Sequence, residues 1–205
     1  MKEAKPERIR LTEEELQAFI DVDLPADSLI WHTRNYWLFS YYSAGVRFSD
    51  VACMKWQNIN SGRLSYVMRK TQHVTQQSHT IQLPKQAEAI LCHYRKPGAK
   101  SEDYLFPILN PKREYITEAD LLKEISRKNA LLNKYLKTIC FKAGIPKDVS
   151  FHSSRHTFAD LGRRKIKDVY AISKLLRHSK INITEKYIND FDTEVTDNAL
   201  TTLFG

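Results

Sequence analysis

Apolar positions recur every three or four residues along most of the chain and alternate every second residue in one short middle segment. "LTEEEL" at 11–16 reads as a helix start, with Thr12 as cap, Glu15 completing a capping box and Leu11 stapled onto Leu16. That helix is expected to run to about Asp23, and Pro25 then opens a loop. Residues 31–44, "WHTRNYWLFSYYSA", are rich in aromatics and predict a buried helix with Gly45 at its C-terminal cap. Ser49 is positioned to cap a short helix through Met54.

Between Trp56 and Leu83 the pattern becomes strand-like: "WQNI" (56–59), "RLSYVMR" (63–69) and "SHTIQL" (78–83) predict a small antiparallel sheet. Ser61-Gly62 joins the first two strands, and the polar stretch 70–77 lies between the second and third. Helices are expected again over 85–95 behind Pro84, and from about Thr117 to Ala143, where Gly144 and Pro146 end the run. Further helices are predicted from about His152 to Arg164 and over 168–178, the latter with Val169, Ile172, Leu175 and Leu176 on one face. A helical turn at 184–188 and an amphipathic tail helix over 193–204 complete the pattern. The expected class is α+β: mainly helical with one three-stranded antiparallel sheet.

Composition narrows the class of protein. The 205 residues are ample for a real core, and no apolar run is long enough to span a membrane. Cys53, Cys92 and Cys140 are far apart and form no CxxC pattern, which suits reduced thiols in a cytoplasmic protein. The formal net charge is +8, and its distribution says more than its size. Residues 55–100 hold eight Lys or Arg against Glu88 alone, and 163–187 hold eight more against Asp168 and Glu185. The tail 189–205 carries Asp190, Asp192, Glu194 and Asp197 and no Lys or Arg. A basic body suits phosphates, and an acidic tail suits another task.

"FHSSRHTFADLGRRK" (151–165) puts His152, Arg155 and His156 on one helix face, three and four residues apart. Zinc ligation by the two histidines is one reading, but Ser153 stands where an HExxH pattern needs glutamate, and no third ligand is evident. A polar helix end with packed histidines is another. The third is an anion site for a phosphodiester, because the planar Arg fork donates to two oxygens and stays charged.

The remaining parts of such a site lie elsewhere in the chain. "AGVRFSD" (44–50) holds Arg47 and Asp50, "MRKT" (68–71) holds Lys70, and "LLRHSKINITEKYI" (175–188) holds His178 with Tyr187 nine residues on. In this order and spacing the chain resembles the catalytic domain of the tyrosine recombinases, the phage integrase family, over roughly residues 11–190. It departs from that family's pattern at Arg177, where glycine is usual, at Asp50, where glutamate is commoner, and over 110–130, which look like an insertion.

The resemblance implies that Arg47 and Arg155 clamp the scissile phosphate, with His178 adding a hydrogen bond. It implies that Tyr187 attacks phosphorus to form a 3′-phosphotyrosine, that His152 takes or relays its proton, and that Lys70 protonates the departing 5′ oxygen. Asp50 and His156 are implied supports. No metal or other cofactor is expected, because cationic side chains supply the charge. The implied activity is site-specific DNA recombination or integration. The alternatives are an inert DNA-binding regulator of the same fold and strand relaxation of the type IB topoisomerase kind.

Implied partners are double-stranded DNA and other protomers in a synaptic tetramer, with no membrane and with a monomer possible for an isolated domain. The expected organisation is a linker remnant at 1–10, a catalytic domain at 11–189 and a tail helix at 190–205 that docks on a neighbouring protomer or folds back on its own body. The family usually adds an N-terminal DNA-binding domain, so the chain is expected to be a catalytic fragment.

Overall fold

The computed structural model describes residues 8–72, 76–166 and 168–177. Seven α-helices and a three-stranded sheet occur among them. Helix α1 (Glu13–Asp21) starts as its sequence dictates. Thr12 Oγ1 accepts from the Glu15 N–H (3.2 Å), and the Glu15 carboxylate accepts from the Thr12 N–H (2.8 Å). Leu11 and Leu16 are both buried beside it.

Helix α2 (Leu29–Tyr42) starts two residues earlier than its aromatic pattern suggested, because Ser28 Oγ caps the Trp31 N–H. Tyr36, Trp37, Leu38 and Phe39 are consecutive and all buried, so α2 has no solvent face along this turn. It is the central helix, packed by α1, α4 (Lys85–Tyr94), α5 (Glu118–Lys142) and α6 (Ser153–Ile166). Its contact with α6 combines an aromatic pair, Tyr41 and Phe158, with a polar seam of serines. Ser40 Oγ meets Ser154 Oγ at 2.7 Å and donates to the Val46 carbonyl at 2.6 Å. Small hydroxylated side chains let the two backbones approach while satisfying each other's buried polar atoms.

Two local expectations need correction. Gly45 sits two places beyond the C-cap: Ser43 holds the cap position, Ala44 and Gly45 follow with left-handed φ of 60° and 68°, and the Gly45 N–H closes the helix end on the Ser40 carbonyl at 2.8 Å. Likewise Ser49 lies inside α3 (Phe48–Cys53), and Arg47 holds the cap position, its carbonyl accepting from the Asp50 and Val51 N–H groups.

The sheet runs β1 (Ile59–Asn60), β2 (Arg63–Val67), β3 (Ser78–Gln82) in spatial order, antiparallel throughout. The expected first strand is shorter than predicted because Trp56–Asn58 form a single 3-10 turn. Ser61 and Gly62, with φ of 48° and 71°, join β1 to β2 in the left-handed conformations a two-residue hairpin requires. Leu64 pairs with Ile81, and this buried pair turns one sheet face to the core.

Thr117 and Asp120 form the capping box that starts α5, and Gly144 ends it at φ 68°. Helix α7 (Val169–Leu176) packs on α6 through Ile172 and Leu176. Ile9 and Arg10, at the end of the expected linker, lie on the body: Ile9 packs against the core, and Lys147 Nζ donates to the Arg10 carbonyl at 2.9 Å. The tail at 190–205 and the turn at 184–188 lie outside the described residues.

Two residues of α5 separate core from surface. Leu136 is fully buried, and Leu136→Ala is expected to lower the unfolding free energy by about 2–5 kcal/mol. Phe141 is 85% exposed, and Phe141→Ala should change it by no more than about 0.5 kcal/mol. Urea unfolding of both variants checks the assignment; comparable losses would refute it.

Candidate active site

Arg155 is almost entirely buried, at 5% exposure. Its Nη1 donates to the Gly45 carbonyl at 3.0 Å, and its Nη2 donates to the Leu176 carbonyl at the end of α7. One guanidinium thereby ties the turn after α2 to the C-terminus of α7. Glycine is required at 45 on two counts. Its φ is left-handed, and a Cβ there would stand 2.8 Å from Arg155 Cα, a backbone atom that cannot step aside.

Arg47 reaches toward the sheet, where Nη1 lies 3.0 Å from Met68 Sδ. Asp50, 3% exposed, grips the hairpin: its Oδ1 accepts from the Arg69 backbone N–H at 2.9 Å, and Arg47, which it is expected to hold, acts on it through charge. Its Oδ2 is buried with no hydrogen-bond partner among the described residues. Burial pushes the Asp50 carboxyl up, while the Arg69 N–H and the guanidinium groups of Arg47, Arg69 and Arg155 pull it down.

Lys70 is exposed, in a 3-10 turn (Arg69–Thr71) directly after β2. That turn is held from two sides. Asp50 grips its first N–H, and Glu118 Oε1 accepts from Arg69 Nη2 (3.2 Å) and Gln72 Nε2 (3.0 Å).

His152 immediately precedes α6 instead of starting it, and its carbonyl accepts from the Arg155 and His156 N–H groups. Its loop is pinned by Asn133 Oδ1, which accepts from the Phe151 N–H at 2.8 Å, and by Trp37 Nε1, which donates to the Ser150 carbonyl at 3.1 Å. The His152 ring keeps solvent access but stands edge-on to His156, centroids 4.5 Å apart. Desolvation by the surrounding protein lowers its pKa, and Arg155, Arg47 and Lys70 lower it further. His156 is pushed down to about 4, by burial first and then by His152 and nearby guanidinium groups. Both imidazoles therefore favour the neutral form.

Arg47, His152 and Arg155 line one cleft of about 320 Å³ together with Ser49, Ser154 and Asn129. Lys70 stands close enough to act on His152 electrostatically. Three of the six residues implied to be catalytic, Arg47, His152 and Arg155, thus line one cleft built from the start of α3 and the start of α6, while Lys70 does not line it. The other two, His178 and Tyr187, lie outside the described residues.

The sequence reading missed Met68, Glu118 and His79. Only the hairpin pattern hinted at their place, since none is a charged group at a motif position except Glu118, which reads as a helix N-terminal acid. His79, on β3, packs edge-on to Tyr66 at 5.8 Å and bonds the Leu175 backbone. Burial and Arg177 push its pKa to about 4, against that backbone bond. Arg177, where the resembling family has glycine, adopts φ 50° and ψ 48°, the left-handed conformation that glycine adopts without strain.

A larger cavity of about 710 Å³, lined by His32, Trp56, His93, Tyr94 and the loop beyond α4, shares no residue with this cleft. Among the described residues no group of three or more His, Cys, Asp or Glu is arranged to hold a metal ion, and no helix is long and apolar enough to cross a membrane.

The model of the phage integrase family matches residues 9–194. The chain belongs to the phage integrase family. Tyrosine recombinase XerC of Xanthomonas axonopodis pv. citri (strain 306) is 26% identical over 171 residues, 81% of this chain and 50% of that protein. The chain therefore spans about half the length of this curated relative. The fold of this integrase-family chain is that of solved recombinases. The Tn1549 transposon integrase, in complex with transposon right end DNA, aligns at TM-score 0.72 and 13% identity, covering 100% of this chain and 69% of that one. XerA recombinase aligns at TM-score 0.64 and 19% identity, covering 100% and 68%.

Gly45→Ala in this integrase-family chain combines left-handed strain with a backbone clash, and is expected to cost about 2–4 kcal/mol in urea unfolding. A loss under about 0.5 kcal/mol would mean that Arg155 does not pass beneath Gly45. The histidines give a pH signature. With folded pKa values near 4 against an ordinary 6.5, His79 and His156 leave the unfolded chain holding more protons between those values. Stability is then full above about pH 6.5 and falls as pH drops toward 4. Thermal unfolding across this window should show a declining Tm, with a shallower decline in His156→Gln; an equal slope in that variant would contradict the assignment.

Proposed function

We propose that this chain is the catalytic part of a site-specific DNA recombinase or integrase that breaks and rejoins strands through a 3′-phosphotyrosine on Tyr187. The observation that carries the reading is the cleft in which Arg47, Arg155 and His152 converge, with Lys70 electrostatically close by. The partner is double-stranded DNA, gripped through its phosphates by a basic body. The site of action is the cytoplasm. Recombination joins two duplexes, so several protomers act together in synapsis, and the acidic tail at 190–205 provides the docking segment between them.

The cleft's chemistry fits each role. A phosphoryl group in displacement spreads negative charge over its non-bridging oxygens, and preorganised cationic donors stabilise that charge most where water is excluded. Arg155 is oriented by two carbonyls before any substrate arrives, so little reorganisation is needed. His152, whose pKa is lowered by burial first and by its cationic neighbours next, is the group that accepts the Tyr187 phenolic proton in this reading. Lys70, exposed on a pinned turn, gives a proton to the leaving 5′ oxygen in this reading, and its exposure and the bracing of its turn support that role. Together these cations supply the charge that a divalent metal supplies in other phosphoryl-transfer sites, and the proposed reaction is metal-independent.

Incubating the protein with a nicked suicide duplex carrying its recombination site, in EDTA, tests the reading. A covalent protein–DNA adduct is expected on a denaturing gel, absent in Tyr187→Phe and formed about 10²–10³ times more slowly in Arg47→Ala. Site-specific binding without any adduct would assign the chain to the regulator class, and adduct formation that only relaxes supercoils would assign it to the topoisomerase class.

A further inference from the structure

Three consecutive residues at the C-terminus of α7 make outside contacts, two of them to the hairpin and one to α6. The Leu175 backbone bonds the His79 imidazole, the Leu176 carbonyl accepts from Arg155, and Arg177 Nη2 donates to the Gln77 carbonyl at 2.8 Å. The first two contacts have a general cause: the last carbonyls of a helix have no intrahelical partner, and donors from outside satisfy them. The third has no such cause. Arg177 adopts a left-handed backbone, which costs a non-glycine residue, and its Nη1 is buried with no hydrogen-bond partner among the described residues. Both features cost stability. What the side chain gains is a grip on the arm of the hairpin that returns from Lys70.

Register says where that grip acts. Val67 pairs with Ser78, so continuing the antiparallel ladder sets Gln77 opposite Met68. Met68 is the residue touched by Arg47, and it directly precedes the turn Arg69–Thr71 that carries Lys70. On its other side, Arg177 is the residue before His178.

We propose that Arg177 is a positioning residue that locks the Lys70 hairpin to the end of α7, so that the turn carrying Lys70 is held in one frame with Arg155. The inference rests on the phosphotyrosine reading above and deepens it. It makes delivery of the proton by Lys70 depend on a side chain that bonds the returning arm of the hairpin, at the Gln77 carbonyl.

The test uses two suicide duplexes that differ only at the scissile bond, one with the natural bridging 5′ oxygen and one with sulfur there. When P–O5′ breaks, the alkoxide must take a proton; a thiolate, whose conjugate acid has a pKa of about 8.5, leaves without one. Lys70→Ala sets the scale, slow on oxygen and relieved on sulfur. Arg177→Gly keeps the left-handed backbone and removes only the side chain, and circular dichroism checks that it folds.

Arg177→Gly is expected to form adduct roughly 10-fold more slowly on the oxygen strand and at close to the wild-type rate on the sulfur strand. Arg177→Lys, which keeps a cationic donor, should recover most of the oxygen-strand rate. Equal slowing on both strands would overturn the inference, since the defect would then lie in the nucleophile or phosphate clamp. Wild-type rates for Arg177→Gly on both strands would overturn it as well, with the phosphotyrosine reading intact. A wild type that forms no adduct, or a Lys70→Ala that sulfur does not relieve, would sink the underlying reading and this inference with it.

Discussion

One buried guanidinium holds the candidate site together. An unpaired charge at the depth of Arg155 would be strongly destabilising, so the fold has to bring acceptors to it. It brings two backbone carbonyls from distant places, Gly45 after α2 and Leu176 at the end of α7. Carbonyls compensate the charge without neutralising it. The two carbonyls fix the arginine in direction and, being neutral, leave its charge in place.

The double left-handed turn at Ala44-Gly45 follows from the same contact. The chain must pass close over Arg155 Cα, which leaves no room for a side chain, and it must reverse direction to start α3 with Arg47 at its cap. Those two arginines line one cleft because a single turn both receives a bond from one and launches the other. Asp50, one helical turn on, then carries the frame to the hairpin through the Arg69 N–H. Glu118 at the start of α5 braces the same turn from the far side.

Electrostatic consistency runs through the site. Arg47, Arg155 and Lys70 all act to lower the pKa of His152, and Arg177 and Arg155 act likewise on His79. A folded domain that gathers like charges in one cleft bears a repulsion that a bound polyanion relieves. The basic excess over 55–100 and 163–187 is the same tendency on the scale of the whole chain.

Much of this architecture was legible in the sequence. The capping box at Thr12, the Ser61-Gly62 hairpin and the buried aromatic helix are local devices, decided by residues within a turn or two of each other, and the structure repeats them. The ordered motifs around Arg47, Lys70, His152 and Arg155 pointed to the family, since residue type and order survive in one dimension. The cap of α2, the true place of Ser49, the bond from Asp50 to the hairpin and the reach of Arg177 to Gln77 were decided only by tertiary structure. Each depends on which backbone passes close to which, over separations of up to 100 residues, and hydrogen bonds to carbonyls and N–H groups leave no mark on the identity of the residue that supplies them.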